Sequence, residues 1–354
     1  MIDIICGARP NFIKVDPIVR NMDSGLKARI VHTGQHYDHI MSQSFFDQLE
    51  LPEPDLNLEV GSDSVTAQTA SIMLKYEEVL RKGLPRAVIV VGDVNSTLAC
   101  SLAAVRYGIP VIHVEAGLRS FDRAMPEEIN RVLTDQIAEL LLITSVEARD
   151  NLLAEGKSSQ MIKLVGNPMI DTLRRLLPSA MSREEPPASE PYCLVTLHRP
   201  SNVDDPERLG GLLEALGDLE NLQVVFPAHP RTLRSIQDLG LEVPRNILMG
   251  EPMSYLQFLR AQVSASVVIT DSGGVQEETS VLGVPCVTVR ANTERPVTLE
   301  LGTNTLCPEV SGLKEAVREQ MEKRPAQPPE IPLWDGKAGE RIAAAIDEFI
   351  GGIR

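Results

Sequence analysis

Short apolar runs alternate along this chain with segments whose apolar positions recur at helical spacing. In the first half, β-branched runs predict strands at Ile2–Cys6, Ala28–His32, Val88–Val91, Val111–Val114 and Leu140–Thr144. Helical patterns are found from about Phe12 and over about Met41–Gln48, Thr66–Leu80 and Ser96–Tyr107. Such alternation predicts a parallel sheet with helices on both faces.

The composition changes around residues 176–191, LLPSAMSREEPPASEP, which are rich in Pro, Ser, Ala and Glu. We interpret this stretch as an interdomain linker, with a surface loop inside one domain as the alternative. The alternation then resumes. It predicts strands at Tyr192–Thr196, Gln223–Pro227, Ile247–Met249, Val267–Thr270 and Cys286–Val289, and helices at Glu207–Leu216, Arg231–Leu239 and about Gly336–Phe349.

With 354 residues the chain is long enough for two domains. We therefore predict an α/β fold of two domains with parallel sheets that face a central cleft. The expected boundaries are 1–176 and 192–335, and the last segment, 336–354, is a helix that packs back on the N-terminal domain.

Composition narrows the class of protein. The net charge of −15 argues against a nucleic-acid or membrane partner, since no block of basic residues compensates for it. The five cysteines are scattered without a CxxC motif, which favours a reduced, cytoplasmic setting. We expect no signal peptide and no transmembrane helix. His32, His36 and His39 have helical spacing but lie across a predicted turn, so no metal site is expected.

Acidic residues follow two neighbouring strands of the first predicted sheet. Glu115 comes directly after one β-branched run and Asp93 follows another after Gly92, and a helical segment joins the two runs. This is a βαβ unit, so both acids should lie at the carboxyl edge of the sheet, where ligands bind. Glu127 and Glu128 open the next helix.

Taken singly, Asp93, Glu115 and Glu128 could equally be helix caps or ion-pair partners of arginines, for which the candidates are Arg119, Arg123 and Arg131. Three acids at one edge, opposite a basic anion site, fit acid–base chemistry better.

A glycine-rich turn marks the second predicted sheet. In TDSGGVQEE, Ser272, Gly273 and Gly274 connect a strand to a helix whose N-terminus is suited to a diphosphate. Glu278 lies one turn further, where it could accept from a ribose diol. The alternative is an ordinary capped turn with Asp271 or Ser272 as the N-cap. Neither GxGxxG nor GxxxxGK[ST] is present, so we expect no nicotinamide cofactor and no P-loop.

Further candidate binding residues follow strand ends. Arg9 and Lys14 lie in GARPNFIK after the first strand, although a solvated helix position is the simpler interpretation of Lys14 alone. The others come from the second half: His198, Arg199, His229, Arg290, Glu294 and Arg295.

Eight motifs occur in the order typical of one family: GARPNFIK, TGQHYD, GDVNST, HVEAGLRS, PEEINR, LHR, DSGGVQEE and TERP. The chain thus resembles the non-hydrolysing UDP-N-acetylglucosamine 2-epimerases over nearly its whole length. The resemblance implies two Rossmann-like domains in a GT-B arrangement, usually as a homodimer. It also implies interconversion of UDP-GlcNAc and UDP-ManNAc for surface polysaccharides.

The resemblance also implies roles for individual residues. Asp93, Glu115, Glu128 and His198 match the catalytic positions. The matching substrate positions are Arg9, Lys14, Phe258, Ser272, Gly273, Gly274, Glu278 and Arg295. Pro200-Ser201 and Tyr37-Asp38 depart from well-known bacterial members, in which these neighbourhoods help form a second, activating UDP-GlcNAc site. The resemblance therefore does not imply that regulation here.

The implied reaction is elimination of UDP and its re-addition through an enzyme-bound glycal, which needs neither NAD nor a metal. The sequence leaves four alternatives open: a C2 epimerase of a C3-acetamido or C6-oxidised UDP-sugar, a hydrolysing epimerase, a retaining glycosyltransferase and a non-catalytic UDP-sugar sensor.

Overall fold

Two compact units make up the chain in the computed structural model, which describes residues 1–22, 26–35, 51–188 and 191–352. The N-terminal unit comprises Met1–Arg174 and Pro332–Arg354, and the C-terminal unit comprises Arg175–Ile331.

Among the described residues, the sheet of the N-terminal unit has seven strands: β1 (Ile2–Cys6), β2 (Ala28–His32), β3 (Leu56–Asn57), β4 (Val88–Val91), β5 (Val111–Val114), β6 (Leu140–Ile143) and β7 (Ile162–Leu164). They run parallel in the order β3-β2-β1-β4-β5-β6-β7. The helices are α1 (Arg9–Asn21), α2 (Val65–Lys82), α3 (Asn95–Arg106), α4 (Pro126–Ile137), α5 (Val146–Ala154) and α6 (Pro168–Arg183). A 3₁₀ turn at Ser159–Met161 precedes β7.

The central strands of this sheet are buried on both faces, as their continuous β-branched sequences predict. Strands β4 and β5 pair in register from Val88 with Val111 to Val91 with Val114. Because the two strands end at the same level, the residues that follow them, Gly92 and Glu115, lie side by side.

The described part of the C-terminal unit contains a six-stranded parallel sheet: β8 (Tyr192–Thr196), β9 (Gln223–Pro227), β10 (Ile247–Gly250), β11 (Val267–Thr270), β12 (Cys286–Thr288) and β13 (Asn304–Leu306), in the order β10-β9-β8-β11-β12-β13. Its helices are α7 (Pro200–Val203), α8 (Pro206–Gly217), α9 (Pro230–Asp238), α10 (Tyr255–Ser264), α11 (Gly273–Leu282), α12 (Val297–Glu300) and α13 (Leu313–Glu322), with a 3₁₀ turn at Val310–Gly312. The last helix, α14 (Ala338–Gly352), belongs to the N-terminal unit and packs against α1.

Each sheet reverses its strand order once, between β1 and β4 in the first unit and between β8 and β11 in the second. At such a reversal the loops leave in opposite directions and open a crevice at the carboxyl ends of the strands, which is where doubly wound folds bind ligands. The two parallel α/β sheets confirm the predicted fold class.

Helix α6 extends to Arg183, through half of the stretch that composition predicted as irregular linker. Leu173, Leu176 and Ala180 are buried at spacings of three and four residues, so an apolar stripe does continue along the helix. The prediction of an irregular linker there was wrong because Ser, Arg and Pro at the other positions diluted this stripe in the composition. Pro178 is accommodated inside the helix.

All five cysteines are buried free thiols. Within the described ranges, no helix combines the length and apolar character that crossing a bilayer requires.

Candidate active site

Charged side chains from β4, β5 and two helices come together at the carboxyl edge of the N-terminal sheet. We call this group the carboxylate cluster: Lys14, Asp93, Glu115, Glu128 and Arg131. Lys14 forms an ion pair with Glu115, and Arg131 forms ion pairs with both Asp93 and Glu128. The three acids predicted from strand ends and the PEE motif therefore do lie at one edge, while their catalytic role stays a prediction.

Glu115 has a left-handed backbone, with φ of +72°, which costs a non-glycine residue roughly 1–3 kcal/mol. Its carboxylate is buried and accepts a hydrogen bond from the Lys14 ammonium group. Gly92 lies opposite with φ of +70°, and a Cβ there would lie 3.1 Å from Glu115 Oε2. The chain thus accepts backbone strain to bring this carboxylate close to β4.

Lys14 is 8% exposed and lies on the inner face of α1. The simpler interpretation, that it is a solvated helix residue, is therefore wrong. Its partner is 101 residues away in sequence, so local helical periodicity could not reveal the contact.

Arg131 joins the other two acids. Its side chain is 3% exposed, and the side chain of Glu128 is equally buried, whereas that of Asp93 is 28% exposed. Asp93 is therefore the acid of the cluster with most surface available to a ligand. Asn130, next to Arg131, donates a hydrogen bond to the Asp93 backbone carbonyl at 2.9 Å and so fixes the same turn.

Glu128 holds the turn that precedes its helix. Its Oε2 accepts from the amide and hydroxyl of Ser120, both at 2.9 Å, and its Oε1 accepts from the Phe121 amide at 2.9 Å. Glu127 is only partly buried. Phe121 has φ of +59° and is 76% exposed. Sequence reasoning preferred Glu128 to Glu127 but missed Ser120 and Phe121, because no pattern marks a turn held by a later residue.

The alternative of ion pairing also holds in part. Arg131 is the partner that the sequence offered, whereas Arg119 pairs with Asp135 and Glu155, and Arg123 is exposed. Ion pairing and acid–base chemistry are compatible here, since ion pairs also set the charge state of an acid.

Three candidates from the N-terminal unit lie wholly or partly outside the described residues. Arg9 begins α1, but its side chain is not described, and the same holds for the whole of His36 and His39. His32 stacks at a tilt against the Phe12 ring, with centroids 5.3 Å apart. In the part of the chain that the structure describes, no group of three or more His, Cys, Asp or Glu side chains is arranged to hold a metal.

Asp271 organises the carboxyl edge of the C-terminal sheet. It accepts from the backbone amides of His198 and Arg199 at 3.0 and 2.9 Å and from Asn202 Nδ2 at 3.0 Å. His198 Nδ1 lies 2.9 Å from its Oδ1. Burial alone would raise the pKa of Asp271, but the bonds from His198, Asn202 and Arg199 bring it below its ordinary value.

An ionised Asp271 can only accept, so Nδ1 of His198 carries the proton in this bond and the imidazole is oriented by it. The His198 side chain is 50% exposed, which leaves its outer face accessible. Sequence reasoning placed His198 at the site but missed Asp271 as its partner, because Asp271 was considered only as a possible helix cap.

Helix α11 begins at the glycine-rich turn, with Ser272 in the N-cap position and Gly273 and Gly274 in the first turn. A Cβ on Gly273 would overlap Arg295 Nη1 and lie 2.7 Å from Glu294 Oε1. Because residue 273 has no Cβ, the guanidinium of Arg295 lies directly against the backbone at the helix N-terminus.

Three arginines surround Glu294 at this helix start. Arg290 and Arg295 form ion pairs with it, and Arg199 Nη2 lies 3.8 Å from its Oε1. Glu277 in turn lies 2.8 Å from Arg295 Nε. Three guanidinium groups against two carboxylates leave one positive charge, which adds to the positive end of the helix dipole. The arrangement suits an anion such as a diphosphate.

Glu278 is buried in the same helix and already has protein partners. Tyr255 Oη donates to its Oε1 at 2.8 Å, and Gln262 Nε2 donates to its Oε2 at 2.6 Å. Burial raises the pKa of Glu278, and the two donors oppose that shift. A carboxylate has about four acceptor sites, so a ribose hydroxyl can still be accommodated.

Two other candidates are not joined to these groups by the described contacts. His229 follows β9 and is exposed, and its Nδ1 accepts from the Arg231 amide at 3.2 Å as the N-cap of α9. Phe258 is half-buried and packs against the apolar core between α10 and the sheet. Their binding roles stay predictions.

The opposite edge of the C-terminal sheet has an open depression of about 770 Å³. It is lined by residues at or just before the starts of the strands, among them Pro191, Gln223 and Asn246, and among the described lining residues only Arg245 is charged. The depression has room for a ligand, but its described lining residues include no acid that could exchange a proton with a substrate, so we place the site at the carboxyl edges.

Comparison with known proteins points to one family. The model of the UDP-N-acetylglucosamine 2-epimerase family matches residues 20–347. A UDP-N-acetylglucosamine 2-epimerase from Methanocaldococcus jannaschii is 41% identical over 96% of this chain and 97% of its own length. The crystal structure of a UDP-GlcNAc 2-epimerase from that organism, in complex with UDP-GlcNAc and UDP, superposes with a TM-score of 0.91 at 39% identity, covering 98% of this chain and 99% of its own.

A second curated relative carries a different substrate name. The UDP-2,3-diacetamido-2,3-dideoxy-D-glucuronate 2-epimerase of Pseudomonas aeruginosa is also 41% identical, over 85% of this chain and 86% of its own length. Both relatives are named as 2-epimerases of a UDP-sugar. This chain belongs to the UDP-N-acetylglucosamine 2-epimerase family.

Proposed function

We propose that this protein interconverts UDP-GlcNAc and UDP-ManNAc by inverting the configuration at C2. The proposal rests on one observation. In a chain of this family, the carboxylate cluster lies where the strand order of the N-terminal sheet reverses, and an anion site lies at the start of α11. The product would be an activated sugar for surface polysaccharide synthesis, and we expect the homodimer that the family resemblance implies.

The C2 hydrogen of the sugar is not acidic, so direct deprotonation is unfavourable. Elimination avoids this difficulty: a base takes the C2 proton, the C2–H electrons form a C1–C2 double bond, and UDP leaves with the electron pair of the C1–O bond. Protonation of the glycal on its other face and return of UDP to C1 complete the inversion. The steps need a base, an acid and stabilisation of the leaving diphosphate.

The N-terminal unit supplies the acids and bases in this proposal. Asp93 is the best candidate to exchange a proton with C2, because its side chain has the most exposed surface of the three acids. Glu115, poised by Lys14, is the second catalytic acid. Glu128 acts mainly by holding Arg131 and the turn at Ser120, since protein donors already engage both of its oxygens.

The C-terminal unit holds the nucleotide. The amides at Ser272–Gly274 and the guanidinium of Arg295 would bind the diphosphate, with Glu278 near the ribose and Phe258 near the uracil. His198, oriented by Asp271, would donate a proton or hydrogen bond to the departing phosphate oxygen. Arg199, His229, Arg9 and Lys14 complete the proposed substrate contacts.

A second candidate is C2 inversion of a UDP-sugar that carries a 3-acetamido group and an oxidised C6. The Pseudomonas aeruginosa relative bears such a name at the same identity as the Methanocaldococcus jannaschii relative. The chemistry at C2 would be unchanged, so the same residues would serve.

The test is incubation with UDP-GlcNAc in D₂O, followed by nuclear magnetic resonance of the products. We expect deuterium at C2 and a mixture of the gluco and manno epimers, and Glu115→Gln should slow incorporation about 100-fold or more. Absence of deuterium at C2 with UDP-GlcNAc would refute the main proposal, and incorporation only into the 3-acetamido, C6-oxidised sugar would favour the second.

The same incubation separates the other classes of protein. Release of free ManNAc and UDP would indicate a hydrolysing epimerase. Binding without exchange would indicate a sensor, and transfer of the sugar to an added acceptor would indicate a glycosyltransferase.

A further inference from the structure

His113 is a fully buried histidine that the proposed reaction does not use. It lies in β5, two residues before Glu115, and its side chain has no exposed surface. Its Nδ1 lies 2.6 Å from Asp135 Oδ1, and its Nε2 lies 2.9 Å from the Gly92 backbone carbonyl oxygen. Both ring nitrogens therefore face oxygen atoms at hydrogen-bond distance.

Neither oxygen is able to donate. A backbone carbonyl only accepts, and Asp135 is held as a carboxylate by its other partners, the Gly117 amide at 3.0 Å and Arg119 Nη2 at 2.7 Å. Each ring nitrogen must then carry a proton, which makes the imidazole a cation.

A buried cation costs several kcal/mol unless it is paired. Here the charges balance, because Arg119 pairs with Asp135 and also donates hydrogen bonds of 2.7 and 2.6 Å to the Glu155 carboxylate. Two cations, His113 and Arg119, face two carboxylates, Asp135 and Glu155. The sum is zero, so the chain of contacts can persist inside the unit.

This chain of buried contacts reaches the three segments that carry the proposed acids, which are two turns and the helix α4. The Gly92 carbonyl belongs to the peptide that enters Asp93, and the Gly117 amide lies in the turn directly after Glu115. Asp135 also lies on α4, the helix whose first turn contains Glu128. A hydrogen bond that fixes the Gly92 carbonyl fixes the orientation of the Gly92–Asp93 peptide, and with it the direction of the Asp93 side chain.

We propose that His113 is a buried imidazolium and a positioning residue, which orients the Gly92–Asp93 peptide and, through Asp135, the turn after Glu115. It touches no reacting atom. The positioning role rests on the proposed function, because it matters only if Asp93 and Glu115 act on the substrate; the charge of the ring does not.

The charge is tested on the intact wild-type chain with ¹⁵N-labelled histidine. The chain has six histidines, so the His113 resonances are identified by their loss in His113→Gln. At neutral pH we expect both ring nitrogens of His113 at the shifts of protonated nitrogens. One protonated and one unprotonated nitrogen would overturn the inference, and this outcome is independent of any activity.

The positioning role is tested with two neutral variants that each keep one donor. The amide of Gln reaches the place of Nε2 and can still donate to the Gly92 carbonyl, whereas the amide of Asn reaches only the place of Nδ1, towards Asp135. We expect His113→Asn to lose about 100-fold in C2 exchange and His113→Gln to retain at least about a tenth, because a small displacement of a reacting group has costs of this size. UDP affinity should stay within about twofold in both.

Equal losses in the two variants, or wild-type exchange in His113→Asn, would overturn the positioning role. If His113→Asn does not fold, the rate of His113→Gln and the wild-type resonances still decide. If the wild-type chain shows no exchange with any UDP-sugar, the proposed function fails while the ¹⁵N result still settles the charge.

Discussion

At the scale of single residues, the site depends on two left-handed backbones that face each other. Gly92 adopts φ of +70° without cost, but Glu115 pays for φ of +72° with strain of roughly 1–3 kcal/mol. A strained acid at a strand end persists only where its surroundings fix it, and here the Lys14 ion pair and the hydrogen bond from the Glu115 amide to Leu142 do so. The strain is therefore evidence that the position of this carboxylate matters.

Replacing Gly92 by alanine should damage activity more than stability. The new Cβ would lie 3.1 Å from Glu115 Oε2 and displace the carboxylate. Gly108→Ala is the matched control, since Gly108 has φ of +68° and no atom within 4 Å of an added Cβ. Both variants should lose about 1 kcal/mol of folding free energy, whereas only Gly92→Ala should lose about 100-fold in C2 exchange. Chemical denaturation and exchange rates measure the two effects. Equal activity in the two variants would show that the approach of Glu115 to Gly92 is unimportant.

At the scale of elements, the sequence patterns predicted where strands end but not which side chains meet there. The β-branched runs gave β4 and β5 their bounds, and two strands that are parallel neighbours must bring Asp93 and Glu115 to one edge. The partners of these acids could not be predicted in the same way. Lys14 is 101 residues from Glu115 in sequence, and its burial depends on how α1 packs, which periodicity does not encode.

Distance along the sequence also explains why the partner of His198 was not predicted. Asp271 and His198 are 73 residues apart and meet because β8 and β11 are neighbours across the reversal of strand order. Their separate strand ends were visible in the sequence, but the pairing order of the strands was not. In α6 the error was of another kind, since average composition concealed a stripe made by only a few apolar residues.

The start of α11 offers a test at this scale. Gly273→Ala would press a methyl group onto the Arg295 guanidinium and the Glu294 carboxylate, which should spoil the anion site and weaken UDP binding at least about tenfold. Gly210→Ala in α8 is the matched control, because its Cβ would meet Leu241 Cδ2 at an ordinary 3.5 Å. The control should gain up to about 1 kcal/mol from helix propensity. Calorimetry with UDP and thermal unfolding compare the two, and undiminished UDP affinity in Gly273→Ala would remove α11 from the proposed site.

At the scale of the whole molecule, the proposed reaction assigns proton transfer to one unit and nucleotide binding to the other. Both place charged side chains at the carboxyl edge where strand order reverses. The N-terminal cluster contains three acids and two cations, whereas the group around Glu294 at the start of α11 has an excess of one cation. The net charge of −15 makes this local excess necessary, since the protein as a whole repels an anionic ligand. Proton transfer and nucleotide binding should therefore be separable by mutation.

Asp93→Asn should slow proton transfer without weakening nucleotide binding. The amide keeps the size of the carboxylate but cannot accept a proton at neutral pH, so C2 exchange should fall about 10²–10⁴-fold. Glu128 remains to pair with Arg131, which limits the loss of stability. UDP affinity should stay within about twofold of wild type, because the proposed diphosphate contacts of α11 and Arg295 are untouched. Arg245→Ala, at the amino edge of the C-terminal sheet, should change neither quantity. Exchange and calorimetry on these variants give a direct answer. If Asp93→Asn weakened UDP binding as much as Gly273→Ala, the acids would be part of nucleotide recognition, and the division of labour between the two units would be wrong.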